Sequence, residues 1–166
     1  MQTVRAKFWF YKYYWIIAIF LLLFILSIIS PIKETDDWKL PASLITAAIS
    51  FVYFIQKQKI EELRLFKELF QEFNDRFDNL NDDLNRIYEN GINPKSERED
   101  IQKLYDYFNL CGEEYLYYSK GYIFQEVWEA WLNGMRYFYN NNEFKNHWDK
   151  ELESNSYYRF NKNIFS

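Results

Sequence analysis

An apolar stripe organises the middle of the chain. Between residues 56 and 90 the apolar residues recur in alternating steps of three and four, which places them on one face of an α-helix. The positions between them are nearly all charged or amide residues, so the opposite face is solvated. The pattern predicts a long stalk helix over 56–90 with a single packing seam. The seam residues are Leu63, Phe66, Phe70, Phe73, Phe77, Leu80, Leu84 and Ile87.

A lone helix cannot bury such a seam, and the residues that follow predict its partner. Gly91 and Pro94 are typical of a helix stop, and Ser96-Glu97-Arg98-Glu99 has the spacing of a capping box. We expect a second helix over about 97–119, antiparallel to the first. Its apolar stripe is formed by Ile101, Leu104, Phe108, Cys111, Tyr115 and Tyr118.

Helical spacing continues in the last third of the chain. It predicts helices over about 123–139 and 143–152, and a tail from Tyr157 to Phe165 without a clear period. We expect Trp128, Trp131 and Trp148 to form the core of this region, with the tail packed across it as an irregular strap.

Two apolar runs near the N-terminus predict a transmembrane hairpin. Residues 13–29 are just long enough, at about 1.5 Å per residue, to span a hydrocarbon layer of about 30 Å. A polar loop at 33–39 separates them from a second run at 40–55, and no helix breaker separates this run from the stalk. The sequence therefore predicts an all-α protein: an N-terminal transmembrane helical hairpin, 1–55, continues into a stalk helix packed in an antiparallel cytoplasmic helical bundle, 56–166.

Basic residues flank both outer ends of this hairpin, whereas the lysines of its loop are offset by acids. Because cytoplasmic flanks are enriched in Lys and Arg, we expect both termini in the cytoplasm and the hairpin in the bacterial inner membrane. The flanking basic residues are Arg5, Lys7, Lys12, Lys57, Lys59, Arg64 and Lys67.

Two features favour self-association. The second apolar run carries small and hydroxylated residues, which either pack closely against the first membrane helix or line a wet path between several hairpins. These residues are Ser43, Thr46, Ala47 and Ser50. In addition, Ile60, Leu65 and Leu69 widen the apolar face of the stalk beyond what one partner helix covers, so either the C-terminal helices or another protomer covers it. We therefore expect a homo-oligomer.

The composition of the chain argues against several classes of function. A net charge of −4 argues against a broad nucleic-acid surface. Cys111 and His147 are the only residues of their kinds, and no motif supports a triad or a zinc site around them. We expect neither catalysis nor a metal or cofactor, and we interpret the carboxylates of Glu113 and Glu114 as part of a solvated helix face.

Aromatic residues interleaved with cations define a candidate ligand surface. Tyr117, Tyr122, Lys120 and Arg136 could stack a base and hold a phosphate, which indicates a protein or nucleotide-derived activator. The alternative interpretation is tertiary packing with ordinary surface charges.

Residues from Leu110 to Phe160, about a third of the chain, resemble a group of uncharacterised small bacterial proteins, helical domains of unknown function that often follow membrane helices. The resemblance implies an architecture and no activity. It rests on Cys111-Gly112-Glu113-Glu114-Tyr115, Lys120-Gly121-Tyr122-Ile123, Trp128-Glu129-Ala130-Trp131, Gly134-Met135, Trp148 and Tyr157-Tyr158.

Two functional hypotheses follow from these patterns. In the first, the protein is a non-enzymatic membrane effector whose cytoplasmic domain senses a ligand or partner and then perturbs the bilayer. This layout is similar to that of two-helix membrane effectors of anti-phage defence, including those associated with retrons or triggered by cyclic oligonucleotides. In the second, the protein is a passive anchor or scaffold that recruits a partner through its aromatic bundle.

Overall fold

The computed structural model describes residues 39–154 and 156–165, together with ten positions between Tyr13 and Ser27 that are helical. The loop predicted over 33–39, much of the first predicted membrane helix, and Arg5, Lys7 and Lys12 lie outside the described residues. Among the helices of the described residues, none combines the length and the apolarity that crossing a membrane requires. The predicted transmembrane hairpin therefore gains no support from the structure.

The described chain is all-helical, and the all-α prediction is confirmed. Helix α1 spans Lys39–Asn90, α2 Glu97–Ser119, α3 Gln125–Tyr139 and α4 Asn142–Leu152, and a 3₁₀ turn covers Lys162–Ile164. These bounds lie close to the predicted ones. The second apolar run and the stalk belong to one helix of 52 residues.

The chain divides into two compact units, Met1–Arg64 and Leu65–Ser166, so the boundary falls later than the predicted one after Ile55. The reason lies in where the second unit begins to cover α1. Leu69 and Phe73 are buried in that unit, and the ring of Phe66 lies 4.2 Å from that of Phe124.

Within the second unit, α1 and α2 form the predicted antiparallel hairpin. Phe77 faces Tyr107 at 6.1 Å between ring centroids, whereas Phe73, one turn earlier on α1, faces Tyr117, later on α2. Gly91 ends α1 with φ 74°, a left-handed conformation that a residue without Cβ adopts at little cost. Its N–H donates to the carbonyl of Ile87 at 2.9 Å.

The predicted capping box is wrong. Ser96 precedes α2, but its side chain makes no capping hydrogen bond. Its φ and ψ of −132° and 28° lie outside the extended conformation usual at this position. The carboxylate of Asp100 orders this loop instead, because it accepts a hydrogen bond from the backbone N–H of Asn93 at 2.9 Å.

Aromatic rings fill the bundle, and the tail closes it as the predicted strap. Trp148 is completely buried and stacks on Phe108 at 4.6 Å, with Phe160 of the tail on it at 6.0 Å. Trp128 is also buried, whereas Trp131 is half-buried and packs on α1. The core therefore includes tail residues that have no helical period.

Candidate functional site

Three of the four predicted ligand-surface residues come together at the end of α2. The N–H of Tyr122 donates to the carbonyl of Tyr117 at 3.0 Å, and the two rings lie 6.2 Å apart. Lys120 is exposed in the turn between them. This turn thus presents two aromatic rings and a cation at the surface of the bundle.

Arg136, the fourth of these residues, has a different environment. It lies on α3 and donates from Nε to the carbonyl of Phe165 at 3.3 Å and from Nη2 to that of Ile164 at 3.4 Å. Its guanidinium therefore holds the C-terminal 3₁₀ turn against α3 rather than completing the surface at Tyr117.

A carboxyl group that the sequence analysis assigned to a solvated face is buried in the bundle. Glu114 is 5% exposed, so that assignment is wrong for this residue. Burial raises the pKa of Glu114 to about 8, the nearby charge of Glu113 raises it as well, and Arg76 opposes both. The carboxyl group is therefore protonated at neutral pH.

Its neighbour Glu113 is half-buried and has a different role. It accepts a charge-assisted hydrogen bond from Nη1 of Arg76, which joins α2 to α1. That hydrogen bond is the main reason why the pKa of Arg76 is raised. Arg76 therefore forms an ion pair with Glu113 and affects the pKa of Glu114 only through its charge.

Tyr107 and Cys111 lie on the same buried face of α2 as Glu114. Burial raises the pKa of the Tyr107 hydroxyl and that of the Cys111 thiol. The thiol stays protonated, and a protonated buried thiol is a poor nucleophile. The Tyr107 hydroxyl and the Cys111 thiol are therefore neutral groups beside Glu114.

A second buried carboxylate lies at the start of α2. Asp100 is 2% exposed, and its two oxygens accept from Nη2 and Nη1 of Arg86 at 2.7 and 3.1 Å. These hydrogen bonds lower its pKa, and the N–H of Asn93 adds to the effect while burial opposes it. Asp100 is therefore an ionised group that ties α1, the loop and α2 together.

Both acids could have been recognised by their spacing. Asp100, Leu104, Tyr107, Cys111 and Glu114 follow each other in steps of four, three, four and three, and all five are buried. The predicted stripe of α2 contained only apolar residues, so it did not include Asp100 or Glu114.

The predicted seam of α1 is buried only in part. Phe73, Leu80, Leu84 and Ile87 are buried and Phe66 and Phe77 are half-buried, but Leu63 and Phe70 are exposed, contrary to prediction. Leu63 precedes the part of α1 that the second unit covers. The ring of Phe70 contacts Phe66 at 5.8 Å and Trp131 at 6.0 Å, and the rest of the side chain is exposed.

The small residues of the second apolar run lie on the surface of the first unit. Ser43, Thr46, Ala47 and Ser50 are all exposed on α1, and the Thr46 hydroxyl donates to the carbonyl of Ala42 at 2.8 Å. This internal hydrogen bond lets a hydroxyl lie in an apolar medium at reduced cost.

In the part of the chain that the structure describes, no three His, Cys, Asp or Glu side chains are arranged to hold a metal ion. A shallow depression on α2 is lined by Glu97, Arg98, Ile101, Gln102 and Tyr105. No protein-family model, curated protein or solved structure matches the chain.

Proposed function

We propose that the protein is a membrane-anchored, non-enzymatic effector of the bacterial inner membrane. Its N-terminal apolar runs insert as a hairpin with both termini in the cytoplasm. Its helical bundle binds a protein or a nucleotide-derived activator, and the bound state perturbs the bilayer, as in the anti-phage effectors with a similar layout. The resemblance of residues 110–160 to bacterial domains that follow membrane helices is consistent with this arrangement.

One observation carries the proposal. The first part of α1 exposes large apolar side chains on two sides, with Ile45 and Ile49 on one face and Phe51 and Phe54 on another. A helix that exposes large apolar side chains on opposite sides is unfavourable in water, and lipid tails accept such a surface. The same helix continues into the core of the bundle, so one element links the proposed membrane segment to the proposed sensor.

The small face of this segment supports an assembly of several copies. Ser43, Ala47 and Ser50 lie on one side of α1, and small residues let neighbouring helices approach closely. In the proposed oligomer these faces meet, and their hydroxyl groups border a path that water or ions can follow when the bundle is occupied.

The proposed sensor surface is the turn that carries Tyr117, Lys120 and Tyr122. Rings next to a cation are suited to a stacked base with a phosphate, and equally to an acidic, aromatic protein segment. A charge reversal, Lys120→Glu, is expected to prevent activation by either kind of activator while the protein still reaches the membrane.

The experiment is uptake of a membrane-impermeant dye by bacteria that express the full chain or residues 56–166 alone. Only the full chain is expected to admit dye, and simultaneous replacement of Ser43, Ala47 and Ser50 by Leu is expected to abolish uptake. Ala42→Leu, which adds bulk at an exposed position on another face of the same helix, is the matched control and should leave uptake unchanged. Exclusion of dye at equal membrane levels of the full chain would instead favour a passive anchor.

A further inference from the structure

Four exposed side chains surround α1 where its apolar segment ends. They are two aromatic residues, Tyr53 and Phe54, followed within two turns by two lysines, Lys57 and Lys59. Successive positions on a helix are rotated by about 100°, so the two lysines lie on nearly opposite sides and the two rings on adjacent ones. We call this group the collar.

The charges of the collar differ from those of the bundle in how they are neutralised. Arg76, Arg86 and Lys103 each lie within 3.4 Å of a carboxylate oxygen. Within the described part of the chain, Lys57 and Lys59 take part in no ion pair. The ammonium groups of the collar are therefore available to an external anion.

The collar is slightly longer than the headgroup layer of a bilayer is thick. Tyr53 and Lys59 are separated by about 9 Å along the helix, and the headgroup layer on each side of a membrane is about 5 to 7 Å thick. With Tyr53 and Phe54 at the edge of the hydrocarbon, flexible lysine side chains reach the phosphates. Because the lysines lie on opposite sides of α1, they contact headgroups whichever face of the helix packs on a neighbour.

We propose that the collar binds the anionic headgroups of acidic phospholipids, so that the protein gathers these lipids around α1. This inference rests on the proposed insertion of the N-terminal segment. It adds to that proposal a lipid class, phosphatidylglycerol in preference to zwitterionic lipids, and the residues that select it.

The test uses the full chain reconstituted in vesicles that contain phosphatidylcholine and phosphatidylglycerol. Trace amounts of each lipid carry a spin label, and the immobilised fraction of each label reports its affinity for the protein surface. The native chain is expected to prefer phosphatidylglycerol. A lysine near an anionic surface contributes about 1 kcal/mol, so Lys57→Gln with Lys59→Gln should lower the preference about fivefold for each lysine that contacts a lipid.

Two controls make the outcome decisive. Lys95→Gln with Lys150→Gln removes the same charge from exposed positions in the second unit and should leave the lipid preference unchanged. Lys57→Arg with Lys59→Arg keeps the charge and should preserve the preference, which separates charge from side-chain packing.

The two proposals fail in different ways. If the full chain does not insert into vesicles of any composition, the proposed function is overturned. If it inserts but immobilises both lipids equally, or if the control lysines lower the preference as much as the collar lysines, the proposed function stands and the collar inference is overturned.

Discussion

The two ends of the buried stripe of α2 place the same chemical group in opposite states. Asp100, at the first turn, receives two hydrogen bonds from Arg86 and one from the loop, and its pKa is lowered. Glu114, four turns later, is nearly as buried, and its pKa is raised to about 8. Asp100 is charged at neutral pH and Glu114 is not.

This difference teaches that burial alone does not set the charge of an acid. Both groups lose most of their hydration, but only Asp100 has a cation in direct contact. At the other end of the stripe Arg76 donates its hydrogen bond to Glu113. It affects Glu114 only through the weaker electrostatic effect of its charge. A buried carboxylate is tolerated where hydrogen bonds replace water, and otherwise the group takes up a proton.

The largest expected change in the free energy of unfolding comes from removing the arginine that contacts Asp100, so that Asp100, like Glu114, is buried without a cation in direct contact. Arg86→Met removes the guanidinium and leaves Asp100 buried with only the N–H of Asn93. Loss of one partner of a buried ion pair typically costs several kcal/mol, and Arg86 is itself 39% exposed, so we expect about 3 kcal/mol at pH 7. The measurement is urea unfolding of the full chain in detergent, followed by tryptophan fluorescence.

The pH dependence of that loss identifies its cause. In the variant the pKa of Asp100 rises, so protonation relieves part of the loss at lower pH, and the difference from the native chain should be smaller at pH 5 than at pH 7. Arg98→Met, at an exposed position of α2, removes the same group without a buried partner and should cost little. An equal loss at both pH values would mean that Arg86 acts through packing and not through the charge of Asp100.

The second prediction concerns the Glu114 end itself. A carboxyl group whose folded pKa lies above its unfolded value stabilises the fold fully below the unfolded value, and this contribution is lost as pH rises through the folded value. For Glu114 the window runs from 4.5 to about 8. We expect the free energy of unfolding to fall by about 2 kcal/mol between pH 6 and pH 8, at 1.36 kcal/mol per unit before the slope levels off.

Glu114→Gln keeps the shape of the protonated acid and removes its titration. The variant should match the native chain only below the unfolded pKa of 4.5, be more stable than it at pH 6, and exceed it by more at pH 8. Tyr107 and Cys111, the other titratable groups on this face, have raised pKa values and stay neutral over this range. Glu99→Gln at an exposed position should follow the native profile. If the native chain and Glu114→Gln lose stability in parallel, Glu114 is not the group that titrates.

Much of the fold follows from local signals in the sequence. The stop at Gly91, the hairpin of α1 and α2 and the approximate bounds of α3 and α4 depend on helical spacing and on a glycine that adopts a positive φ. These features lie within a few residues of each other along the chain, so periodicity and turn chemistry are enough to predict them.

The burial of the two acids follows from their spacing in α2, but their charge states depend on contacts with other parts of the chain. Arg86 donates hydrogen bonds to Asp100 on the other side of the loop. Arg76 donates a hydrogen bond to Glu113, 37 residues later in the chain, and not to Glu114. Likewise, Arg136 donates a hydrogen bond to the carbonyl of Phe165, 29 residues further along the chain. Because of this contact, Arg136 is not part of the predicted ligand surface. The group to which each arginine bonds depends on how whole helices pack together. The residue pattern within one helix therefore does not predict that partner.

The smallest expected effect tests the indirect influence of Arg76 on Glu114, and its sign is more informative than its size. Arg76→Met removes a positive charge and should move the pH-dependent loss of stability to higher pH. Glu113→Gln removes a negative charge and frees Arg76 to approach Glu114, so it should move the loss to lower pH. Because Arg76 is 36% exposed, each shift should change the free energy of unfolding at pH 8 by less than about 1 kcal/mol.

The pH profile of each variant, measured against its own double variant with Glu114→Gln, isolates the titration of Glu114 from the loss of the Arg76–Glu113 ion pair. Opposite shifts would establish that Arg76 sets the charge of Glu114 through the field across the helix pair. Shifts in the same direction would mean that both variants act by loosening the contact between α1 and α2, and the contrast with Asp100 would then be one of packing alone.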